Sequence, residues 1–135
     1  MTRHPDWRAR LTTFIADHAR TPYRPGQHDC ILFAGGARLA VRGEDLTGPY
    51  IGRYETLEEG FKLLRALGHE DHVSAITGGL EEIPVAYARI GDLVELEGED
   101  GLAAMGVVGG EHIYALTPRG AGIVPLTSAR RAWRQ

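Results

Sequence analysis

Between Asp29 and Val41 the chain reads Asp-Cys-Ile-Leu-Phe-Ala-Gly-Gly-Ala-Arg-Leu-Ala-Val, small and apolar almost throughout, with Arg38 its one charge after Asp29. A surface helix needs a polar stripe for water, and this segment has none. It is therefore expected to be a helix buried on most faces, capped by Asp29 at its start and closed by Gly43 at its end. A helix of that kind needs other elements around it. The 135 residues supply them as one domain spanning 1–135, long enough to bury about two-thirds of the chain's surface on folding. With 43% hydrophobic and 24% charged residues the composition is globular.

The hydrophobic period changes near Arg89. Before it, Trp7, Leu11, Phe14 and Ile15 fall at helical spacing between Pro5 and Thr21-Pro22. Thr56-Leu57-Glu58-Glu59 has the form of a capping box opening a third helix to about Leu67, and a short fourth is expected around Asp71 to Thr77. After it, residues 92–97 alternate, and further short runs follow at 102–108, 111–116 and 122–126, separated by glycine turns. The tail, with Trp133 as its anchor, reads as a turn and an edge strand. Helices first and strands after predict an α+β fold, with the Cys30 helix packed on an antiparallel sheet of four to six strands. Gly35 and Gly36 are expected to let that helix approach the sheet closely.

Charge narrows the functional classes. Fifteen Lys and Arg against eighteen Asp and Glu leave a net charge of -3, so no summed positive field favours nucleic acid. No apolar run approaches the roughly 18 residues of a membrane span, so membrane insertion is not expected. The polar start, Thr2 to Trp7, lacks a secretory pattern and predicts a product made in the cytoplasm. The acidic run from Glu95 to Asp100 reads as a solvated hairpin, while Pro49-Tyr50-Ile51 within the 46–54 loop puts apolar side chains where a partner would meet them.

The chain has one cysteine, Cys30. An internal disulfide and a thiolate metal cage are both ruled out, leaving a packed small side chain or a nucleophile. Its place in the first turn of a buried helix, after a rigid Pro/Gly loop, suits the nucleophile, because unpaired N–H groups and the helix dipole stabilise a thiolate, while an unreactive cysteine packed in a crowded helix fits the same pattern about equally well.

Four stretches in fixed order carry a resemblance. Pro22-Tyr23-x-x-Gly26-x-x-Asp29-Cys30, Ile90-Gly91-Asp92-Leu93-Val94, Met105-Gly106-Val107-Val108-Gly109 and the Ala132-Trp133-Arg134 tail resemble the NlpC-type cell-wall cysteine peptidases. The nearest likeness is to small relatives encoded by phages, prophages and gene-transfer agents. The resemblance implies a papain-like fold, no cofactor and no metal. It also implies a tail or tail-tip component incorporated in a virion or phage-like particle, with other tail and baseplate proteins and peptidoglycan as partners.

In that family the cysteine attacks a peptide carbonyl of the cell-wall stem and a histidine takes its proton. Cys30 matches the nucleophile and Tyr23 a substrate-side hydrogen-bonding residue. Gln27, just upstream, has two readings: first a residue that closes the loop, and second the oxyanion-hole amide that a glutamine supplies in papain-like enzymes. The base does not match. Ala104 stands where the family's strand opens with histidine, so the resemblance implies a degenerate site unless another imidazole serves. His112, on the following strand, and His28, two residues before Cys30, are the candidates. Tyr114 falls near the position of the group that orients the base. His69 and His72 flank Asp71 at metal-like spacing without a third ligand, and read as surface residues.

Overall fold

The computed structural model describes residues 2–98, 101–117 and 120–135. Four helices come first: α1 (Trp7–His18), α2 (Cys30–Arg42), α3 (Leu57–Ala66) and α4 (His72–Thr77). Six strands follow: β1 (Glu81–Ile83), β2 (Leu93–Glu97), β3 (Ala103–Val108), β4 (His112–Thr117), β5 (Gly120–Pro125) and β6 (Ala129–Arg134). They form one sheet in the order β1-β6-β2-β3-β4-β5, antiparallel at every pairing. The fold is α+β, with helices packed on a six-stranded antiparallel sheet.

The apolar composition of α2 puts it at the centre. Ile31, Phe33, Ala34, Ala37 and Val41 are buried against Leu93, Met105, Val107, Leu116 and Trp133 of the sheet. Asp29 caps its start, and Gly43 closes it in the left-handed region at φ 73°. Gly35 and Gly36 permit a different approach from the one expected. A β-carbon at Gly35 would meet Thr47 at 2.7 Å and one at Gly36 would strike the Phe14 ring, so the glycines admit the 44–56 loop and α1, not the sheet. Side chains alternate along the strands, and the opposite face of the sheet holds a second cluster of Val94, Leu96, Val108, Ile113, Ala115 and Ala132.

The tail is not an edge strand. Strand β6 lies inside the sheet, between β1, which the sequence pattern does not reveal, and β2. Its arginines are matched across the strands: Arg131 is 2.7 Å from Glu82 on β1 and 3.6 Å from Glu95 on β2, and Arg130 is 3.1 Å from Glu95. In the 46–54 loop, Tyr50 and Tyr54 fold back into the core, and Ile51 stays 52% exposed. Glu99 and Asp100 of the expected acidic hairpin lie outside the described residues.

Candidate functional site

The loop before α2 is shaped by hydrogen bonds that converge on Asp29. This residue is wholly buried, and its extended backbone (φ -141°, ψ -175°) turns the carboxylate back over the helix start. Oδ1 accepts from the backbone N–H groups of Ile31 and Leu32, each at 3.0 Å. Oδ2 accepts from Gly26 N at 2.8 Å and from the Tyr54 hydroxyl at 2.5 Å. Gly26 has φ 81°, and a β-carbon there would collide with the Tyr54 carbonyl, so the motif's glycine serves both the turn and the close pass of the 44–56 loop. The loop is cinched by reciprocal backbone bonds between Arg24 and His28 at 2.9 and 2.8 Å. Cys30 is thereby fixed as the first residue of α2.

Cys30 lines a cavity of about 570 Å³. Tyr23 and Leu57 also line it, and the sheet contributes Ala103 and Leu116 from the face that packs with Cys30 and Leu96, Ala104, Ala115 and Val124 from the opposite face. Glu97 and Ser128 are the polar side chains of the lining besides Tyr23. The Tyr23 hydroxyl is buried without a hydrogen-bond partner, a donor left for something in the cavity. Burial raises its pKa, and the neighbouring Cys30 and Asp29 add to the rise.

The thiol is not activated by its place at the helix end. Burial, followed by the negative charge of Asp29, pushes its pKa up to about 12 against the opposing pull of the Cys30 and Ile31 N–H groups. This corrects the expectation of a dipole-stabilised thiolate: the N–H groups of Ile31 and Leu32 are already occupied by a buried anion. Near neutral pH the sulfur carries its proton.

Neither candidate base is hydrogen-bonded to Cys30 among the described residues. The His28 ring is buried, stacked on His18 at 5.1 Å between centroids, with Phe33 edge-on at 6.3 Å and Nε2 unpartnered. Burial, then His18, lowers its pKa, and Asp29 opposes them. His112 is exposed at the start of β4, three and four residues from Ala115 and Leu116 of the cavity wall, roughly 10 Å along a strand. Gln27 is exposed on the loop and does not line the cavity, and Tyr114 is half-buried against the α2 side of the sheet. The structure thus brings Cys30, Tyr23 and Ala104 to one cavity and leaves His28, His112 and Gln27 outside it.

Two residues around the site escaped sequence reasoning. Tyr54, 25 positions from Asp29, holds the capping carboxylate, and only its aromatic type hinted at burial. His72 is buried and not a surface residue. It packs on Phe61 at 5.4 Å between centroids, and its Nε2 donates to the Ala103 carbonyl at 2.7 Å, bracing the start of β3. No group of three His, Cys, Asp or Glu side chains with metal-binding geometry occurs among the described residues.

A family model described as Domain of unknown function (DUF6950) matches residues 2–135, and the chain belongs to that family. None of the curated proteins matches the chain.

Proposed function

We propose that this DUF6950 chain is a tail or tail-tip module of a phage or phage-like particle, built on an NlpC-type papain-like fold whose site engages cell-wall peptide but cuts it poorly or not at all. One observation carries the reading: Cys30 at the first position of α2 and Ala104 on β3 line the same cavity. These are the positions of nucleophile and base in the resemblance, and one of them holds a methyl group. General-base assistance is worth roughly 10²–10⁴-fold, so a cysteine without it loses most of its rate. The protonated thiol supports the same conclusion. The unpartnered Tyr23 hydroxyl supplies a donor for a peptide carbonyl, and the apolar wall suits small aliphatic side chains.

The test compares stem-peptide release by the wild type, Cys30→Ala and Ala104→His, with mass spectrometry of purified particles. The expected result is no release by the wild type beyond that of Cys30→Ala, and the protein present in particles. Robust release that disappears in Cys30→Ala would instead establish an active cysteine peptidase hydrolysing peptidoglycan stem peptides, and His112→Ala would be the next variant to assay. Absence from particles would overturn the assembly role.

A further inference from the structure

At the other end of β2 from the Cys30 cavity, the start of α1 meets the end of β6. A pocket of about 420 Å³ is lined there by Arg3, Trp7, Arg8, Arg89, Ile90 and Arg134. Two of its four guanidinium groups are fixed from behind. Arg3 donates to the Ile90 carbonyl at 2.7 Å and to Asp92 Oδ1 at 3.0 Å. Arg134 donates to the Tyr87 carbonyl at 2.8 Å, and its Nε lies 3.4 Å from Asp92 Oδ2. Arg8 and Arg89 are exposed, and no carboxylate pairs with either guanidinium among the described residues.

Four cations therefore line one pocket, and the wholly buried Asp92 pairs with two of them, Arg3 and Arg134. The excess is local, since the whole chain carries -3. The cations are also crowded: Arg3 lies 4.2 Å and Arg8 4.6 Å from the centroid of the Trp7 ring. Burial lowers the Arg3 pKa, and Arg134 and Arg8 lower it further against the pull of Asp92. Arg3 and Arg134 are held in place by backbone carbonyls, and Arg8 and Arg89 beside them carry charge that no carboxylate opposes among the described residues, so the pocket offers a partly ordered set of guanidinium groups to a carboxylate.

The surroundings indicate what kind of molecule brings the carboxylate. Tyr87 is 67% exposed and Ile90 36% exposed beside the pocket, so apolar surface adjoins the charge. A free inorganic anion has no use for that surface. A polyanionic nucleic acid would meet a net-negative protein around a small basic spot. We propose that this pocket receives acidic side chains from a segment of a partner protein whose neighbouring apolar residues cover Tyr87 and Ile90. The proposal is independent of whether Cys30 cuts or only binds.

The probe is a blocked hexapeptide of four glutamates around a leucine and a tyrosine, followed through the indole N–H resonances of Trp7 and Trp133 by NMR. Its glutamine counterpart, inorganic phosphate and a short single-stranded oligonucleotide serve as competitors. The acidic peptide is expected to shift Trp7 and not Trp133, to weaken with added salt, and to lose roughly tenfold or more in affinity in Arg8→Glu/Arg89→Glu. Those two side chains are exposed and make no hydrogen bond among the described residues, and an unchanged circular dichroism spectrum verifies that the variant folds. Failure of the acidic peptide to shift Trp7, equal binding of the glutamine peptide, or indifference to the double reversal would overturn the proposal. Saturation by phosphate or the oligonucleotide without displacement by the peptide would overturn it too, in favour of a small-anion or nucleic-acid site.

Discussion

Asp29 and Asp92 are the same residue type in the same degree of burial, both wholly withdrawn from water; Asp29 accepts four hydrogen bonds, and Asp92 accepts three with the Arg134 guanidinium as a further ion-pair contact. Their donors differ in charge. Asp92 takes Arg3 and Arg134 along with the N–H groups of Arg89 and Gln135, so a compensated carboxylate ties the start of the chain, the turn before β2 and the end of β6 into one knot. Asp29 takes three backbone N–H groups and a phenol, all neutral. Its negative charge stays in the neighbourhood and falls on the Cys30 thiol, which it helps to keep protonated. A buried carboxylate with cations acts as a fastener; one without them sets the electrostatics of whatever lies beside it.

The largest expected effect breaks the fastener. Asp92→Ala leaves two guanidinium groups and two N–H groups without their acceptor, and should cost about 3–5 kcal/mol in chemical denaturation. A loss below 1 kcal/mol would mean that the knot is ornamental. Asp29→Asn keeps an oxygen to cap Ile31 and Leu32 but removes the charge and puts an NH2 where Oδ2 accepts from Gly26 N and the Tyr54 hydroxyl, so stability should fall by about 1–3 kcal/mol. In the same variant the thiol should titrate below its wild-type value of about 12, measured as iodoacetamide modification against pH. An unmoved titration would show that burial alone sets the thiol. Tyr54→Phe withdraws one neutral donor from Asp29 and should cost about 1–2 kcal/mol, with the cap bonds to Ile31 and Leu32 intact by amide exchange.

The smallest effect concerns His28, behind the same loop. Its pKa is lowered in the folded state from an ordinary 6.5, chiefly by burial, with His18 adding and Asp29 opposing. The unfolded chain therefore binds the proton more readily, and stability present above about 6.5 is lost as pH falls through the folded value. Unfolding free energy followed from neutral to mildly acidic pH should decline more steeply in the wild type than in His28→Phe. Equal slopes would assign the acid sensitivity to other groups.

The comparison also explains which parts of the molecule could be read in advance. Helix α2 and its cap were legible because an apolar segment without a polar stripe has one place to go, and Asp29 and Gly43 sit where its ends require them. Strand β6 was misjudged as an edge because Arg130 and Arg131 look like solvent-facing charges. Their partners, Glu82 and Glu95, lie on strands far away in sequence, and no local pattern reveals that pairing. At the site, Cys30 and Tyr23 were legible by spacing. The reversal of the thiol's expected activation was not, because it depends on how deeply the sulfur is buried and on Asp29 having only neutral donors among the described residues. His72 was hidden for a related reason: a histidine directly after Glu70 and Asp71 reads as surface until Ala103 and Phe61 are seen around it.

The internal position of β6 has a consequence for how the protein is made. A ribosome releases the helices and five strands before it releases the strand that joins β1 to β2, so until Ala129 to Arg134 emerge β1 has no partner strand, β2 is an added open edge and the place of Trp133 is vacant. Unpaired edges of that kind template wrong pairings. A chain lacking residues 129–134 would be an aggregation-prone fragment and not a smaller working module.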